Sequence, residues 1–255
     1  MLADDEHRRS LSALCRGISR RLGFFGSRCL WCGGLLCEDP EASVLCQHCW
    51  ELFRPMTGGF CPVCGQIYAS SQEDVYVCGS CRLTSRPWGR LGVLRAYQGA
   101  LRQAILAFKY QPNHGHALLM QSLARTVYVG SIAPNHPDIL VPVPVDPAKL
   151  PSRGFNQSLE MARGLQACSS AQLEHKALVR RPGFPGQTGL SRAERRKNVK
   201  RAFLAAPEHL AEKRVLLVDD VYTTGATVEA CCQALLKAGA TRVDVLVLGR
   251  ALELH

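Results

Sequence analysis

RVLLVDDVYTTGAT, Arg214 to Thr227, decides how this chain folds. Val215 to Val218 is an apolar run too short for a helix and rich in branched residues. It predicts a buried strand of a parallel sheet. Asp219 and Asp220 fall where that strand should end, followed by Val221 and Tyr222. The small, hydroxylated turn Thr223-Thr224-Gly225-Ala226-Thr227 comes next, and Val228, Cys231, Cys232, Leu235 and Leu236 then recur at helical spacing.

A strand, an acidic pair, a small turn and a helix start together make an anion site. Backbone N–H groups at a helix N-terminus point at a phosphate, Gly225 lets the chain approach it, and the threonine hydroxyls add donors. The aspartates repel phosphate. They suit ribose hydroxyls, which donate hydrogen bonds, or a magnesium ion held through oxygen ligands. A site wanting phosphate on one side and a diol on the other is a site for a ribose 5-phosphate. The plainer reading is a strand end with two solvated acids and a threonine-capped helix.

With 255 residues the chain is long enough for one large or two small domains, and 47% hydrophobic content excludes a disordered protein. No apolar run approaches the roughly 20 residues that cross a bilayer. The opening MLADDEHRRS is charged and carries no secretory signal, so a cytoplasmic protein is expected. A net charge of +10 asks for an anionic partner without naming it.

Of thirteen cysteines, nine lie from Cys29 to Cys81, and eight of those form CxxC pairs: Cys29/Cys32, Cys46/Cys49, Cys61/Cys64 and Cys78/Cys81. Adding 32 to each member of the first four positions gives the second four, and Gly33 maps onto Gly65. This internal repeat matches the spacing of two four-cysteine zinc ribbons in a reducing compartment. Four thiolates leave no open coordination position, so both zinc sites are expected to be structural. One zinc per copy and interleaved knuckles both fit the spacing. Cys37 lies off the repeat and reads as a buried thiol. Trp31, Trp50, Phe53, Phe60 and Tyr68, interspersed among the knuckles, read as a small core, or as faces on which single-stranded bases stack.

Residues 1–28 form a lead-in, with Leu11, Leu14, Cys15, Ile18 and Leu22 at helical spacing among arginines. The double ribbon spans residues 29–83. After a turn-rich boundary, residues 91–255 alternate strands and helices, the pattern of an α/β domain with a mainly parallel sheet. Val93 to Tyr97 reads as the first strand. A helix marked by Leu101, Ile105 and Phe108 ends at Phe108-Lys109-Tyr110, and a second runs from His116 to Val129. Ile139 to Val145 is a strand whose Pro142 and Pro144 put it at an edge or end it early. The basic segment Lys149 to Ser158 then opens a helix, a second candidate anion site on the same sheet edge. Arg180 to Phe203 is a Gly/Pro-rich loop followed by a stretch, Arg192 to Arg201, with six basic residues and one glutamate.

The loop at Arg214–Thr227 resembles the signature of type I phosphoribosyltransferases, which hold phosphoribosyl pyrophosphate (PRPP). With RGFNQS (Arg153 to Ser158) and two CxxCG ribbons upstream, the chain is identified as a member of the ComF family, from about Cys29 to Arg250. GntX proteins are close relatives. The resemblance implies a type I phosphoribosyltransferase fold behind a double zinc ribbon, and an association with competence and DNA uptake. It implies that Val221, Tyr222, Thr223, Thr224, Gly225, Ala226, Thr227, Arg153, Gly154 and Lys109 hold Mg-PRPP. Asp219, Asp220 and Arg192 would serve the chemistry, the last from a flexible loop also holding Gln187, Thr188, Ser191 and Arg195. No residue announces the acceptor. A second reading is a non-catalytic module that holds single-stranded DNA or an uptake-machinery partner on the same scaffold.

Overall fold

The structure is a computed structural model that describes residues 28–36, 44–68, 75–181 and 202–252. The lead-in helix, Cys37 and the basic loop with Gln187, Thr188, Ser191, Arg192 and Arg195 lie outside the described residues. The chain divides into two compact units, Met1–Leu52 and Phe53–His255.

In the first unit the knuckle is a tight turn. Cys29 N–H donates to the Gly34 carbonyl at 2.8 Å, Gly33 N–H returns to the Cys29 carbonyl at 2.9 Å, and Arg28 bridges Leu35. Gly33 has φ +73°, the left-handed backbone that glycine adopts without strain. Helix α1 (Gln47–Phe53) starts just after Cys46 and carries Cys49 on its first turn.

The second knuckle repeats this at the head of the other unit. Cys61 N–H donates to the Gln66 carbonyl and Gly65 N–H to the Cys61 carbonyl, each at 2.8 Å, and Phe60 bridges Ile67. Helix α2 (Gly79–Leu83) follows Cys78 as α1 follows Cys46. The 32-residue repeat in sequence is therefore a repeat of backbone hydrogen bonds.

Strand β1 (Leu91–Ala96) leads into helices α3 (Gly99–Tyr110) and α4 (His114–Val127). Pro112 cannot continue α3, and the Asn113 carboxamide caps α4 by accepting from His116 N–H at 2.8 Å. Strand β2 is Ile139–Pro142 and helix α5 is Leu150–Arg153. Helix α6 (Gln157–Leu165), strands β3 (Gln172–Leu173), β4 (Leu178–Arg180), β5 (Phe203–Ala205) and β6 (Arg214–Tyr222), helix α7 (Ala226–Lys237) and strand β7 (Arg242–Arg250) complete the described chain.

Five strands pair in the order β1-β7-β6-β2-β3, every pair parallel, while β4 and β5 form a separate antiparallel ribbon. Strand β2 is internal, between β6 and β3, and survives its prolines by ending early at Pro142. Strand β6 runs past the expected stop at the aspartates because β7 continues to pair with it, Val221 opposite Gly249 and Tyr222 opposite Arg250.

Alternation sorts the sheet into two faces. Ile139, Val141, Val215, Leu217, Val243, Val245 and Val247 pack in one cluster with Val228, Cys231, Cys232 and Leu235 of α7. The intervening Leu140, Leu216, Val218, Leu246 and Leu248 are buried on the opposite face, where α4 and α6 pack. Near-continuous burial along β6 is what its unbroken apolar run predicted. Among the described residues, no helix is long and apolar enough to cross a membrane.

Candidate functional site

Because the sheet is parallel, the carboxyl ends of β6 and β2 lie on one edge, the usual place for a ligand in an open α/β sheet. Three chain segments meet there. The first is the end of β6 and the turn into α7. Gly225 is the N-cap of α7 at φ +79°, and no side chain caps that helix. The Ala226 N–H reaches Thr224 Oγ1 only at 3.5 Å, at the outer limit of a hydrogen bond. The threonine-cap reading therefore fails, and the turn offers backbone donors beside two exposed threonines. A Cβ at Gly225 would fall 2.1 Å from the Tyr222 hydroxyl, so a side chain there would have to displace that ring.

The second segment is RGFNQS. Asn156 caps α6, accepting from Ser158 N–H at 3.0 Å and Leu159 N–H at 3.3 Å, while its amide nitrogen donates to the Val143 carbonyl at 3.1 Å. Asn156 thus pins this loop to the end of β2. It also occupies donors that an anion would otherwise use. Gly154 N–H is likewise committed, to the Leu150 carbonyl. The basic character of this segment then rests on Arg153, which donates to Gln157 Oε1 at 3.3 Å and lies over the Tyr110 ring.

The third segment is the end of α3. Lys109 Nζ is 2.8 Å from Asp220 Oδ2, an ion pair whose side chains are only 14% and 11% exposed. Phe108 packs edge-on against Phe155 with centroids 5.0 Å apart, which holds α3 to the RGFNQS loop. Asp219 is held differently from Asp220. Its Oδ1 accepts from Ser158 Oγ at 3.0 Å and from Asp220 N–H at 2.9 Å. Burial, and then the neighbouring Asp220 charge, raise the Asp219 carboxyl to about 7. The two adjacent acids are therefore different groups chemically, one paired with a cation and one kept close to neutral.

Asp219, Asp220, Val221 to Thr227, Lys109, Arg153 and Gly154 all belong to these three segments. Sequence reasoning gave no role to Ser158, although it stands in the quoted motif. It also passed over Gln157, whose buried Nε2 has no partner among the described residues, and Arg250. A buried donor left without an acceptor is a signal of ligand chemistry only once burial is known.

The cysteines gather into two groups, Cys29/Cys32/Cys46/Cys49 and Cys61/Cys64/Cys78/Cys81, with the sulfurs of each within 4.8 Å of one another. Tetrahedral Zn–S bonds of about 2.3 Å set sulfurs about 3.8 Å apart. Cys32 and Cys46 sulfurs are 3.8 Å apart, and Cys64 and Cys78 sulfurs 3.7 Å. The donor set and its size fit zinc, one ion per repeat, so the interleaved pairing is excluded. Around the second tetrad, Tyr68 stacks on Tyr76 with centroids 4.0 Å apart, and Tyr76 is 45% exposed.

Known proteins show the same two parts. Residues 152–253 match the phosphoribosyl transferase domain model and residues 23–82 the double zinc ribbon domain model. Competence protein F of Haemophilus influenzae is 29% identical over 238 residues, covering 90% of this chain and 100% of that protein. DNA utilization protein YhgH of Escherichia coli O157:H7 is 33% identical over 224 residues, covering 85% and 96%. Competence protein ComFC of Bacillus subtilis is 24% identical over 231 residues, covering 83% and 89%.

Proposed function

The chain belongs to the ComF family, and from that premise we propose that it binds Mg-PRPP at the end of β6 and transfers the phosphoribosyl group to an acceptor, in the service of DNA uptake or utilization. The observation that carries this reading is the pairing of an uncapped, glycine-opened helix start with two carboxylates on one sheet edge. The N–H groups and hydroxyls of Thr223 to Thr227 receive the 5-phosphate. Asp219 and Asp220 accept hydrogen bonds from the ribose hydroxyls.

Loss of pyrophosphate from C1 leaves an oxocarbenium-like sugar and a strongly anionic leaving group, so catalysis here is positioning and electrostatics. Asp220, and Asp219 in its ionised form, favour the cationic sugar. Arg153 and Lys109 supply positive charge on the pyrophosphate side, joined by Arg192 from the basic loop. Lys109 also orients Asp220, because the ion pair aims that carboxylate before substrate arrives. Free thiolates that bind metal suit a reducing, cytoplasmic compartment.

Calorimetry with Mg-PRPP tests this. Binding heat in the wild type that disappears in Asp219→Asn/Asp220→Asn is expected, and no heat in the wild type overturns the reading. Pyrophosphate release with a panel of purine and pyrimidine acceptors then tests transfer.

A second reading, binding of single-stranded DNA, is favoured by the exposed Tyr76 ring stacked on Tyr68 and by the names of the relatives. Affinity for an oligo-dT strand should fall steeply with salt and weaken in Tyr76→Ala. Weak, salt-insensitive binding counts against it.

A further inference from the structure

Arg250 ends β7 and is 2% exposed. A guanidinium buried so deeply must be held by hydrogen bonds. Its Nε donates to the Cys64 carbonyl at 3.0 Å, and its Nη1 donates to the Thr223 carbonyl at 2.6 Å and to the Ala251 carbonyl at 2.7 Å. The guanidinium also lies 4.6 Å from the centroid of the Tyr222 ring. One planar group therefore touches a metal-binding knuckle with one edge and the residues opening the phosphate turn with another.

A second set of contacts runs alongside. Trp88 Nε1 donates to the Val63 carbonyl, inside the same knuckle, at 2.8 Å, and the Trp88 ring meets Tyr222 edge-on at 6.1 Å. Arg86 donates to Ser80 Oγ, beside Cys81, at 3.4 Å and pairs at 3.9 Å with Glu229, on the first turn of α7. The Tyr222 hydroxyl in turn occupies the space a Cβ at Gly225 would need. The knuckle, Arg250, Tyr222 and Gly225 thus form a continuous row of packed groups.

We infer that Arg250 is a positioning residue that makes the phosphate turn depend on the metal state of Cys61, Cys64, Cys78 and Cys81. Rigid carbonyls at Val63 and Cys64 require a closed knuckle, and a knuckle this small is closed by its metal. Those carbonyls fix the guanidinium. The guanidinium holds the Thr223 carbonyl, and so directs the N–H groups that follow it outward. The inference rests on the reading of Thr223 to Thr227 as the PRPP turn. It adds that the second zinc site, structural by its coordination, acts on ligand affinity.

Full-length protein and Arg250→Lys provide the test. Lysine keeps the charge and loses the fork that spans two carbonyls. Hydrogen exchange at Tyr222 to Thr227, and Mg-PRPP affinity by calorimetry, are measured in each protein with zinc bound and after chelation. In the wild type, chelation should speed exchange in the turn and weaken PRPP by about tenfold, an ordinary size for coupling between sites. Zinc-loaded Arg250→Lys should show the same two changes, and chelating it should add little more. Losses that add independently, or exchange in the turn that ignores zinc in the wild type, overturn the inference. If Arg250→Lys fails to fold, wild-type exchange with and without zinc still decides it. If PRPP gives no heat at all, the proposed function fails, while the exchange arm continues to test the coupling.

Discussion

The Lys109 ammonium lies 2.8 Å from the Asp220 carboxylate and joins the last turn of α3 to the carboxyl end of β6. Both side chains are largely shielded from water, so each depends on the other more than surface ion pairs do. Lys109→Met leaves Asp220 with an uncompensated charge and should cost about 3 kcal/mol of stability, between a lost charged hydrogen bond and a fully buried broken pair. Adding Asp220→Asn should recover part of that loss. Urea denaturation of the two single variants and the double variant checks it. Strict additivity of the two would mean that the pair does not act as one unit.

Asp219 sets a dependence on pH. Its carboxyl is raised to about 7 by burial and by Asp220, whereas an unfolded chain titrates it near 4. Between roughly pH 4 and 7 the folded protein therefore holds a proton that the unfolded chain has released, so this group's contribution to stability falls as pH rises through that window. Asp219→Asn should flatten that part of the profile. Thermal denaturation of wild type and variant at a series of pH values isolates the difference from the cysteines, which both proteins share. An unchanged difference between the two from pH 4 to 7 counts against the raised value.

Gly225→Ala should fold and lose ligand affinity. The left-handed backbone costs an alanine roughly 1–2 kcal/mol, and its methyl displaces the Tyr222 hydroxyl. Mg-PRPP calorimetry should then show binding weakened by tenfold or more, roughly 1.4 kcal/mol, with the melting temperature only modestly lowered. Wild-type affinity in this variant would mean that the turn is not the phosphate site.

Stripping zinc should raise hydrogen exchange at Cys29–Gly33 and Cys61–Gly65, because each knuckle closes on backbone bonds that only a metal holds in so small a segment. Strands β2 and β7, and β6 from Val215 to Val218, with their buried apolar residues, should remain protected. Loss of protection throughout the sheet would show that the ribbons contribute to the core stability of the body.

Much of this was legible in order along the chain. The 32-residue cysteine repeat predicted two closed tetrads, and the apolar run before Asp219 predicted a buried parallel strand. Both are local signals, a spacing and a periodicity, and local signals survive without neighbours. Strand ends were less legible. β6 continues to Tyr222 because β7 pairs with it, and β2 sits inside the sheet despite two prolines because it stops at Pro142. The threonine-cap alternative could not be resolved from composition, since cap geometry depends on where Gly225 turns.

By itself the sequence determined the metal ligands, the acidic pair, the glycine turn and the alternation of strands and helices. Tertiary structure alone decided which groups act on those residues. Ser158 reaches Asp219 across 61 positions, Lys109 reaches Asp220 from another helix, and Arg250 reaches Cys64 across 186 positions. Such pairings follow from sheet register and helix packing, which no local pattern encodes. They also set what each acid faces: desolvation and the Asp220 charge raise the Asp219 carboxyl to about 7, while the Lys109 ammonium pairs with Asp220.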